Sequence, residues 1–229
     1  MKGEGKKMDR WREMETFPHV FEPKFTEVFE TSFKHKGKWK EEVLNNSNPI
    51  VLELGCGRGE YSVGLGKHFP EKNFIGFDIK GARIWKGAKQ ALEQQLNNVF
   101  FVRTRIDFIT SFFAENEVDE IWITFPDPQP QESRERKRLT APMFMKRYQQ
   151  LLKPGGIIHL KTDNEGFFRY TLDEIKRNNY HLIEHTFDLY GERIDDLNEK
   201  TQEILSIKTY YENLFSAKGH KIHYLKFQF

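Results

Sequence analysis

Short apolar runs alternate with longer helical stretches through the middle of this 229-residue chain. The runs that predict strands are Ile50–Leu54, Phe74–Phe77, Val99–Val102, Glu120–Phe125, Ile157–Leu160, His181–Leu189 and Ile222–Phe229. Helices are predicted between them, at about 61–69, 81–96, 108–115, 141–152, 164–178 and 206–216. Short buried strands interleaved with helices are typical of a parallel sheet that is covered on both faces. The sequence therefore predicts an α/β, Rossmann-like fold with a seven-stranded sheet, whose last strand is antiparallel.

The first 45 residues differ from the rest because they are polar and basic with few periodic signals. We predict a basic arm with a short helix at about 26–44, followed by one domain over residues 46–229. The single Cys56 excludes an internal disulfide, and no run approaches the roughly 18 apolar residues of a membrane span. The N-terminus also lacks the apolar core of a signal peptide. These features predict a cytoplasmic protein without a membrane partner.

The charges are balanced overall but unevenly placed. Lys and Arg number 36 and Asp and Glu 34, which leaves a net charge of +2. Basic clusters occupy residues 2–12, 34–40 and 134–147. Any one cluster is best interpreted as a solvated face, but three clusters on one surface would form a phosphate-binding patch. The sequence leaves open whether they meet.

Residues 51–61 read Val-Leu-Glu-Leu-Gly-Cys-Gly-Arg-Gly-Glu-Tyr, a strand that runs into a glycine-rich loop and then a helix. The dinucleotide fingerprint would require a glycine at position 60, where this chain has Glu60, and a P-loop would require a Gly-Lys-Ser/Thr ending. Gly55, Gly57 and Gly59 remain, with Glu53 two residues before them. That arrangement suits S-adenosylmethionine, which has no phosphate but carries an ammonium and a sulfonium. Cys56, inside the loop, is interpreted as a small packed residue rather than a nucleophile.

Two further acids follow the next two strands. Asp78, 19 residues beyond Gly59, could accept both hydroxyl protons of a ribose. Asp107 could meet the adenine amino group. A lone acid at a strand end is more often a helix cap. The glycine loop together with acids at three successive strand ends favours cofactor binding.

The fourth strand leads into Thr124-Phe-Pro-Asp-Pro-Gln, followed by a basic segment that ends at Leu139. In open parallel sheets the chemistry lies at the carboxyl ends of the strands. Asp127 stands there between two prolines, which restrict the backbone around it. Its carboxylate is a candidate for ligand binding, and a rigid loop capped by Asp127 is the alternative. The order Pro-Asp-Pro-Gln does not fit the Asp/Asn-Pro-Pro-aromatic motif of DNA amino-methyltransferases.

Over roughly residues 45–229 the sequence resembles the bacterial tRNA (guanine-N7-)-methyltransferases. The resemblance rests on the segments Glu53–Gly59, Phe125–Pro128, Arg136–Leu139, Lys161–Asp163, Thr209–Glu212 and Gly219–His220. The glycine loop alone is generic. The Pro-Asp-Pro loop with its basic tail and the Thr-x-aromatic-Glu segment are specific to this family.

The resemblance implies a class I S-adenosylmethionine-dependent methyltransferase that methylates N7 of a guanine in the variable loop of tRNA, at position 46 in the family, with S-adenosylhomocysteine as product. It places Glu53, Asp78, Asp107 and Asp127 at cofactor positions beside the three loop glycines. It also assigns the role of catalytic acid to Asp127. The substrate positions it implies are Gln131, Asp163, Thr209, Tyr210, Tyr211 and Glu212, and the RNA contacts are Ser133, Arg134, Glu135, Arg136, Lys137 and Arg138. No metal is implied, and a monomer or homodimer is expected.

Two residues depart from the family pattern, which usually reads Pro-Asp-Pro-Trp-x-Lys. This chain has Gln129 for the Trp and Gln131 for the Lys. A glutamine can hydrogen-bond but does not neutralise a phosphate, so tRNA affinity or selectivity is affected more than reaction type. The alternatives are a methyltransferase of the same fold acting on another base atom or a small molecule, and an inactive RNA-binding relative. The intact set of acids argues against the inactive relative.

Overall fold

The chain forms one mostly parallel sheet with helices on both faces, as a computed structural model that describes residues 2–229 shows. Across the sheet, the strands of the described chain lie in the order β1-β4-β3-β2-β5-β6-β8-β7. Their bounds are β1 Val20–Phe21, β2 Ile50–Leu54, β3 Asn73–Asp78, β4 Val99–Arg103, β5 Val118–Thr124, β6 Leu152–Thr162, β7 His181–Thr186 and β8 His223–Gln228.

The helices cover both faces of this sheet. Their bounds are α1 Lys2–Met14, α2 Glu60–His68, α3 Gly81–Glu93, α4 Ile109–Phe112, α5 Pro142–Leu151, α6 Glu165–Arg177, α7 Glu199–Leu205 and α8 Tyr210–Ser216. Side chains of β2 alternate between two buried clusters, with Leu52 in one and Val51 in the other. This alternation is the pattern of a strand that is covered on both sides. None of the helices within residues 2–229 combines the length and apolar character needed to cross a bilayer.

The predicted α/β architecture is confirmed, and β8 is antiparallel, pairing with β6 and β7. The predicted number of seven strands is wrong by one. The additional strand is β1, which pairs in parallel with Phe101–Val102 at the edge of the sheet. It has only two residues, too few for an alternating pattern to appear in the sequence.

The N-terminal arm also differs from the expected helix at 26–44. The structure has α1 before this region, a short 3₁₀ turn at Phe25–Glu27 and a π turn at Lys40–Leu44. Positive φ angles at Glu30 (54°) and Gly37 (76°) interrupt any continuous helix. Trp39 is fully buried, and its Nε1 donates to the carbonyl oxygen of Phe112 at 2.8 Å. Aromatic burial thus ties the arm to the sheet, while the division at residue 45 stays a prediction.

Near the C-terminus, the predicted helix at 206–216 begins only at Tyr210, as α8, and a separate helix, α7, ends at Leu205 before it. The break lies at Thr209, whose hydroxyl oxygen accepts a hydrogen bond from the backbone N–H of Glu212 at 3.0 Å. A threonine in this position is an N-cap that starts a new helix. This cap therefore marks the residue at which α8 begins.

Candidate active site

A cavity of about 930 Å³ opens at the carboxyl ends of the central parallel strands. Parallel strands all end at the same edge of a sheet, so the residues after each strand meet there. Four of the predicted acids line this cavity, namely Asp78, Asp107, Asp127 and Asp163. The arrangement brings together residues that lie up to 85 positions apart in the sequence.

The glycine loop forms one side of the cavity. Gly57, with φ of 56°, donates its backbone N–H to Oδ2 of Asp78 at 2.9 Å. At Gly59, with φ of 71°, a Cβ atom would lie 2.6 Å from the ring of Phe101. The loop therefore needs glycine both for its backbone conformation and for its close packing. Burial raises the pKa of the Cys56 thiol well above its ordinary value, as expected for a packed residue and not for a nucleophile.

Asp78 and Asp107 line the cavity beside this loop. The second carboxylate oxygen of Asp78 accepts from the backbone N–H of Lys80 at 2.8 Å, so two backbone donors fix this acid in place. Asp107 lies within a short 3₁₀ turn and pairs with Arg105 at 3.3 Å. Neither neighbouring helix uses its side chain as a cap. The alternative that Asp107 caps a helix is therefore wrong.

Glu53 lies elsewhere, between α2 and the end of β5, and it does not line the cavity. Its carboxylate accepts from the backbone N–H of Ser62 at 2.9 Å, from the Ser62 hydroxyl and from the Thr124 hydroxyl at 2.6 Å. Burial raises the pKa of Glu53 to about 7. Near pH 7, the Glu53 carboxyl group is thus protonated and neutral in a substantial fraction of the molecules. Through these hydrogen bonds Glu53 connects α2 to the end of β5, on the side of the glycine loop that faces away from the cavity.

The Pro-Asp-Pro loop forms the opposite side of the cavity. Phe125 and Gln129 each precede a proline and have φ angles of 48° and 45°. Non-glycine residues are uncommon in this region and cluster at functional sites. Asp127 is exposed to the cavity, and its Oδ1 accepts from the backbone N–H of Gln129 at 3.1 Å. Among the described residues, none donates a hydrogen bond to its Oδ2.

Only part of the basic segment that follows faces the cavity. It forms a 3₁₀ helix from Glu132 to Lys137, and Arg136 and Lys137 are the residues of this helix that line the cavity. Arg138 turns inward: its Nε donates to the carbonyl oxygen of Gln129 at 3.2 Å, and its guanidinium lies over the ring of Tyr170. The remaining predicted residues of the segment are exposed outside the cavity lining, namely Gln131, Ser133, Arg134 and Glu135.

The Thr209–Glu212 segment is also divided. Thr209 and Tyr211 line the cavity, whereas Tyr210 lies outside it with the guanidinium of Arg58 3.6 Å from its ring centre. Glu212 is fully buried, and one carboxylate oxygen lies 3.0 Å from Nζ of Lys161, itself fully buried. The carboxylate that the resemblance assigned to substrate is thus engaged inside the protein.

The family model described as "Putative methyltransferase" matches residues 47–225. A tRNA (guanine-N(7)-)-methyltransferase from Bacteroides thetaiotaomicron is 50% identical over 222 residues, which are 97% of this chain and 85% of the relative. One of the same name from Christiangramia forsetii is 46% identical and covers 99% of both chains. The chain belongs to the tRNA (guanine-N(7)-)-methyltransferase family.

Among solved structures, the 16S rRNA methyltransferase KamB shares the fold of this methyltransferase, with a TM-score of 0.60. The match covers 82% of this chain and 91% of that one, at 13% identity. At this low identity the match shows a shared fold and nothing finer.

The donor set of the cavity fits S-adenosylmethionine, the methyl donor of the family. Asp78 supplies carboxylate oxygens that two backbone N–H groups hold in place, as ribose hydroxyls require. Ile79 and Ile106 supply apolar wall beside Asp107 for an adenine ring. Arg58 offers a cation for the cofactor carboxylate. The cavity volume is near the upper end of the range for small-molecule sites.

Part of the cavity lining of this methyltransferase consists of residues that were not predicted from the sequence. Lys80 and Arg105 follow strand ends and could have been found from that position. Phe144 and Phe215 come from helices, and only the tertiary fold shows that they face the site. The lining residues that were missed are Arg58, Glu60, Ile79, Lys80, Arg83, Thr104, Arg105, Ile106, Leu139, Met143, Phe144, Asn164 and Phe215.

Among the described side chains of the three basic clusters, those that reach the cavity belong to the 134–147 cluster. The 34–40 cluster lies at the other end of the sheet, because the backbone N–H of Gly37 donates to Glu117, just before β5 begins. The side chains of Lys2, Lys6 and Lys7 lie outside the described residues. Arg10 packs over the ring of Trp85. The clusters therefore do not form one patch within the described side chains.

Proposed function

We propose that this protein transfers the methyl group of S-adenosylmethionine to N7 of a guanine in the variable loop of tRNA. The observation that carries the proposal is that one cavity holds two sets of groups. Asp78 and Asp107 on one side suit the cofactor. Asp127 and Asp163, with the cations of Arg136 and Lys137 beside them, suit a guanine and its phosphates.

The chemistry requires positioning more than proton transfer. S-adenosylmethionine, when bound, supplies an electrophilic methyl group. N7 of guanine carries a free lone pair, so no proton must leave the attacking atom. The protein has to hold the base in line with the methyl carbon and exclude other orientations. The rigid Pro-Asp-Pro loop suits this role.

Asp127 offsets charge that develops during transfer. Methylation makes the base cationic, and a carboxylate held nearby stabilises that charge. Its carboxylate also suits the guanine edge, where N1–H and the amino group both donate. Asp163, two residues after Lys161 and 3.4 Å from Nδ1 of His220, is a second acceptor for that edge. Glu212 is not assigned to the guanine, because Lys161 occupies its carboxylate.

The partner is tRNA, and its target base has to leave the stack to enter the cavity. Arg136 and Lys137 contact the phosphates beside that base. We place the enzyme in the cytoplasm, where its substrate is, and assign it the form of a monomer or homodimer.

The proposal is tested by incubating the protein with radiolabelled S-adenosylmethionine and unmodified bulk tRNA. We expect transfer of label, followed by chain cleavage at the labelled site after borohydride reduction and aniline treatment. N7-methylguanosine makes RNA cleavable in this way, and N1- or N2-methylguanosine does not. A transcript with adenine in place of the variable-loop guanine is the matched control. Labelled tRNA that resists cleavage would contradict the N7 assignment.

A further inference from the structure

Three half-buried aromatic side chains line the active-site cavity as one group. They are Phe125, Tyr211 and Phe215. The Phe215 ring is central: its centre lies 6.4 Å from that of Phe125 and 6.3 Å from that of Tyr211, with planes 26° and 22° apart. The ring of His220 lies 5.7 Å away. Because the Phe215 side chain lines the cavity without being fully buried, it offers apolar surface to a ligand there.

Two contacts connect the Phe215 ring with the acids assigned to guanine. Phe125, which stacks on it, precedes Asp127 by two residues in the Pro-Asp-Pro loop. His220, also in ring contact with Phe215, has its Nδ1 3.4 Å from Oδ2 of Asp163. Asp127 and Asp163 both line the same cavity. These contacts place Phe215 on the guanine side of the cavity, close to both acids.

The backbone that carries Phe215 is fixed. The residue lies in α8, and its carbonyl oxygen accepts from the N–H groups of Lys218 at 3.0 Å and His220 at 3.1 Å. One turn earlier in the same helix, the buried carboxylate of Glu212 is paired with Lys161. The ring is therefore pre-positioned, and little conformational freedom is lost when a base stacks on it.

The carboxylates and the ring suit different parts of a guanine. Asp127 and Asp163 can accept hydrogen bonds only from the edge of the base, which leaves its two faces uncovered. Enzymes that withdraw a base from its stack hold it with aromatic or apolar side chains against those faces. Phe215, close to both acids, supplies such a side chain.

Methyl transfer also changes the charge of the base. The lone pair of N7 forms the bond to the methyl carbon, the carbon–sulfur bond breaks, and its electron pair stays on sulfur. The positive charge thus passes from the sulfonium to the purine ring. The face of an aromatic ring attracts a cation. An aromatic side chain under the base therefore binds the methylated, cationic form more tightly than the neutral form, and an aliphatic side chain does not.

We propose that the Phe215 ring stacks on the target guanine and stabilises the positive charge that methylation places on it. The inference rests on the proposed function, since it takes the base in the cavity to be a guanine that is methylated at N7. Asp127 acts on this charge at the edge of the base, and Phe215 acts on it at the face. The two side chains thus stabilise the same transition state from different directions.

The test compares Phe215→Leu with the wild type in single-turnover assays at saturating tRNA. Leucine keeps an apolar contact but has no π face. We expect the rate of methyl transfer to fall about tenfold, within the range for loss of one base–aromatic stack, with S-adenosylmethionine affinity unchanged. Phe215→Tyr keeps the ring and should restore the rate. Phe29→Leu is the matched control and should change nothing, because that ring is exposed on the N-terminal arm and does not line the cavity.

A second measurement does not depend on turnover. Two synthetic tRNAs differ only in N7-methylation of the target guanine, and the Kd of each is measured with S-adenosylhomocysteine bound. The preference for the methylated tRNA should be about fivefold greater in the wild type than in Phe215→Leu, within the range for a cation over an aromatic ring. An equal preference in both proteins would overturn the proposal. So would a variant that loses affinity for S-adenosylmethionine but not for S-adenosylhomocysteine, which would place the ring against the sulfonium.

The outcomes for the two proposals can be separated. Wild-type protein that methylates N7 of tRNA, with Phe215→Leu unimpaired in rate and in its preference for methylated tRNA, contradicts the role of Phe215 alone. Wild-type protein that prefers the methylated tRNA through Phe215 without forming N7-methylguanosine contradicts the proposed function alone. Wild-type protein that shows neither N7 methylation nor that preference contradicts both.

Discussion

The two sides of the active-site cavity are built in different ways. The glycine-loop wall comes from lining residues within 55–60, 78–83 and 104–107, three segments that lie at or directly after the end of a strand. The C-terminal wall comes from residues 124–128 and 163–164 together with Thr209, Tyr211 and Phe215, and it depends on contacts between distant parts of the chain. Lys161 and Glu212 make the decisive contact across 51 positions. Local sequence pattern is thus informative for the first wall and much less so for the second.

The buried ion pair of Lys161 and Glu212 explains why local sequence pattern does not predict the C-terminal wall. Nζ of Lys161 donates to the carbonyl oxygen of Leu205 at 2.7 Å as well as to Glu212, and the Tyr190 hydroxyl also donates to Glu212. Burial lowers the pKa of Lys161, and the negative charge of Glu212 opposes that effect. The pair fastens β6 to the segment that brings Thr209 into the cavity. A buried charge is costly unless it is paired.

The largest expected effect comes from breaking this pair. Lys161→Met leaves the Glu212 carboxylate buried without its cation, which should lower the free energy of unfolding by about 3–5 kcal/mol. The double variant Lys161→Met/Glu212→Gln should recover part of the loss. Urea unfolding followed by circular dichroism measures both. Lys67→Met, an exposed lysine on α2, is the control and should stay within about 0.5 kcal/mol of the wild type. A loss below about 1 kcal/mol for Lys161→Met would mean that the C-terminal wall is held by other contacts.

The next effect tests chemistry on the C-terminal wall. Asp127→Asn keeps the shape of the side chain and removes its charge, so turnover should fall about tenfold to a thousandfold, or about 1.4–4 kcal/mol of barrier. S-adenosylmethionine affinity and the unfolding curve should change little, because the prolines shape the loop. Single-turnover assays with labelled cofactor measure the rate. Asp173→Asn, an exposed acid on α6, is the control. Near-normal turnover would remove the electrostatic role.

The sequence pattern locates the strand-end acids, because parallel strands end at one edge of the sheet. It grouped Glu53 with Asp78, although Glu53 lies behind the wall and Asp78 faces the cavity. The direction of a side chain depends on packing partners such as Thr124, which a local pattern does not reveal. The same limit explains why neither the burial of Glu212 nor the strand β1 was predicted. Their partners are distant in sequence.

Glu53 gives the third prediction, a pH dependence on the glycine-loop wall. Its pKa is about 7 in the folded protein against 4.5 for the ordinary group. The folded state therefore binds the proton more tightly, and this contribution to stability is complete below pH 4.5 and is lost as the pH rises to about 7. The loss is at most about 3 kcal/mol. Urea unfolding of Glu53→Gln between pH 4.5 and 8 should show a smaller decline than the wild type. Parallel curves would mean that Glu53 titrates normally.

The smallest expected effect compares the two acids directly. Asp78→Ala removes the acceptor that faces the cavity and should weaken S-adenosylmethionine binding by about 1.5–3 kcal/mol, the range for hydrogen bonds to a charged group. Glu53→Gln is the matched variant. It keeps the packing behind the loop and should cost less than about 0.5 kcal/mol, because this side chain does not line the cavity. Calorimetric titration measures both affinities, with unfolding curves to confirm intact folding. Equal losses would show that the charge of Glu53 reaches the cofactor through the loop, and the distinction between the two acids would then fail.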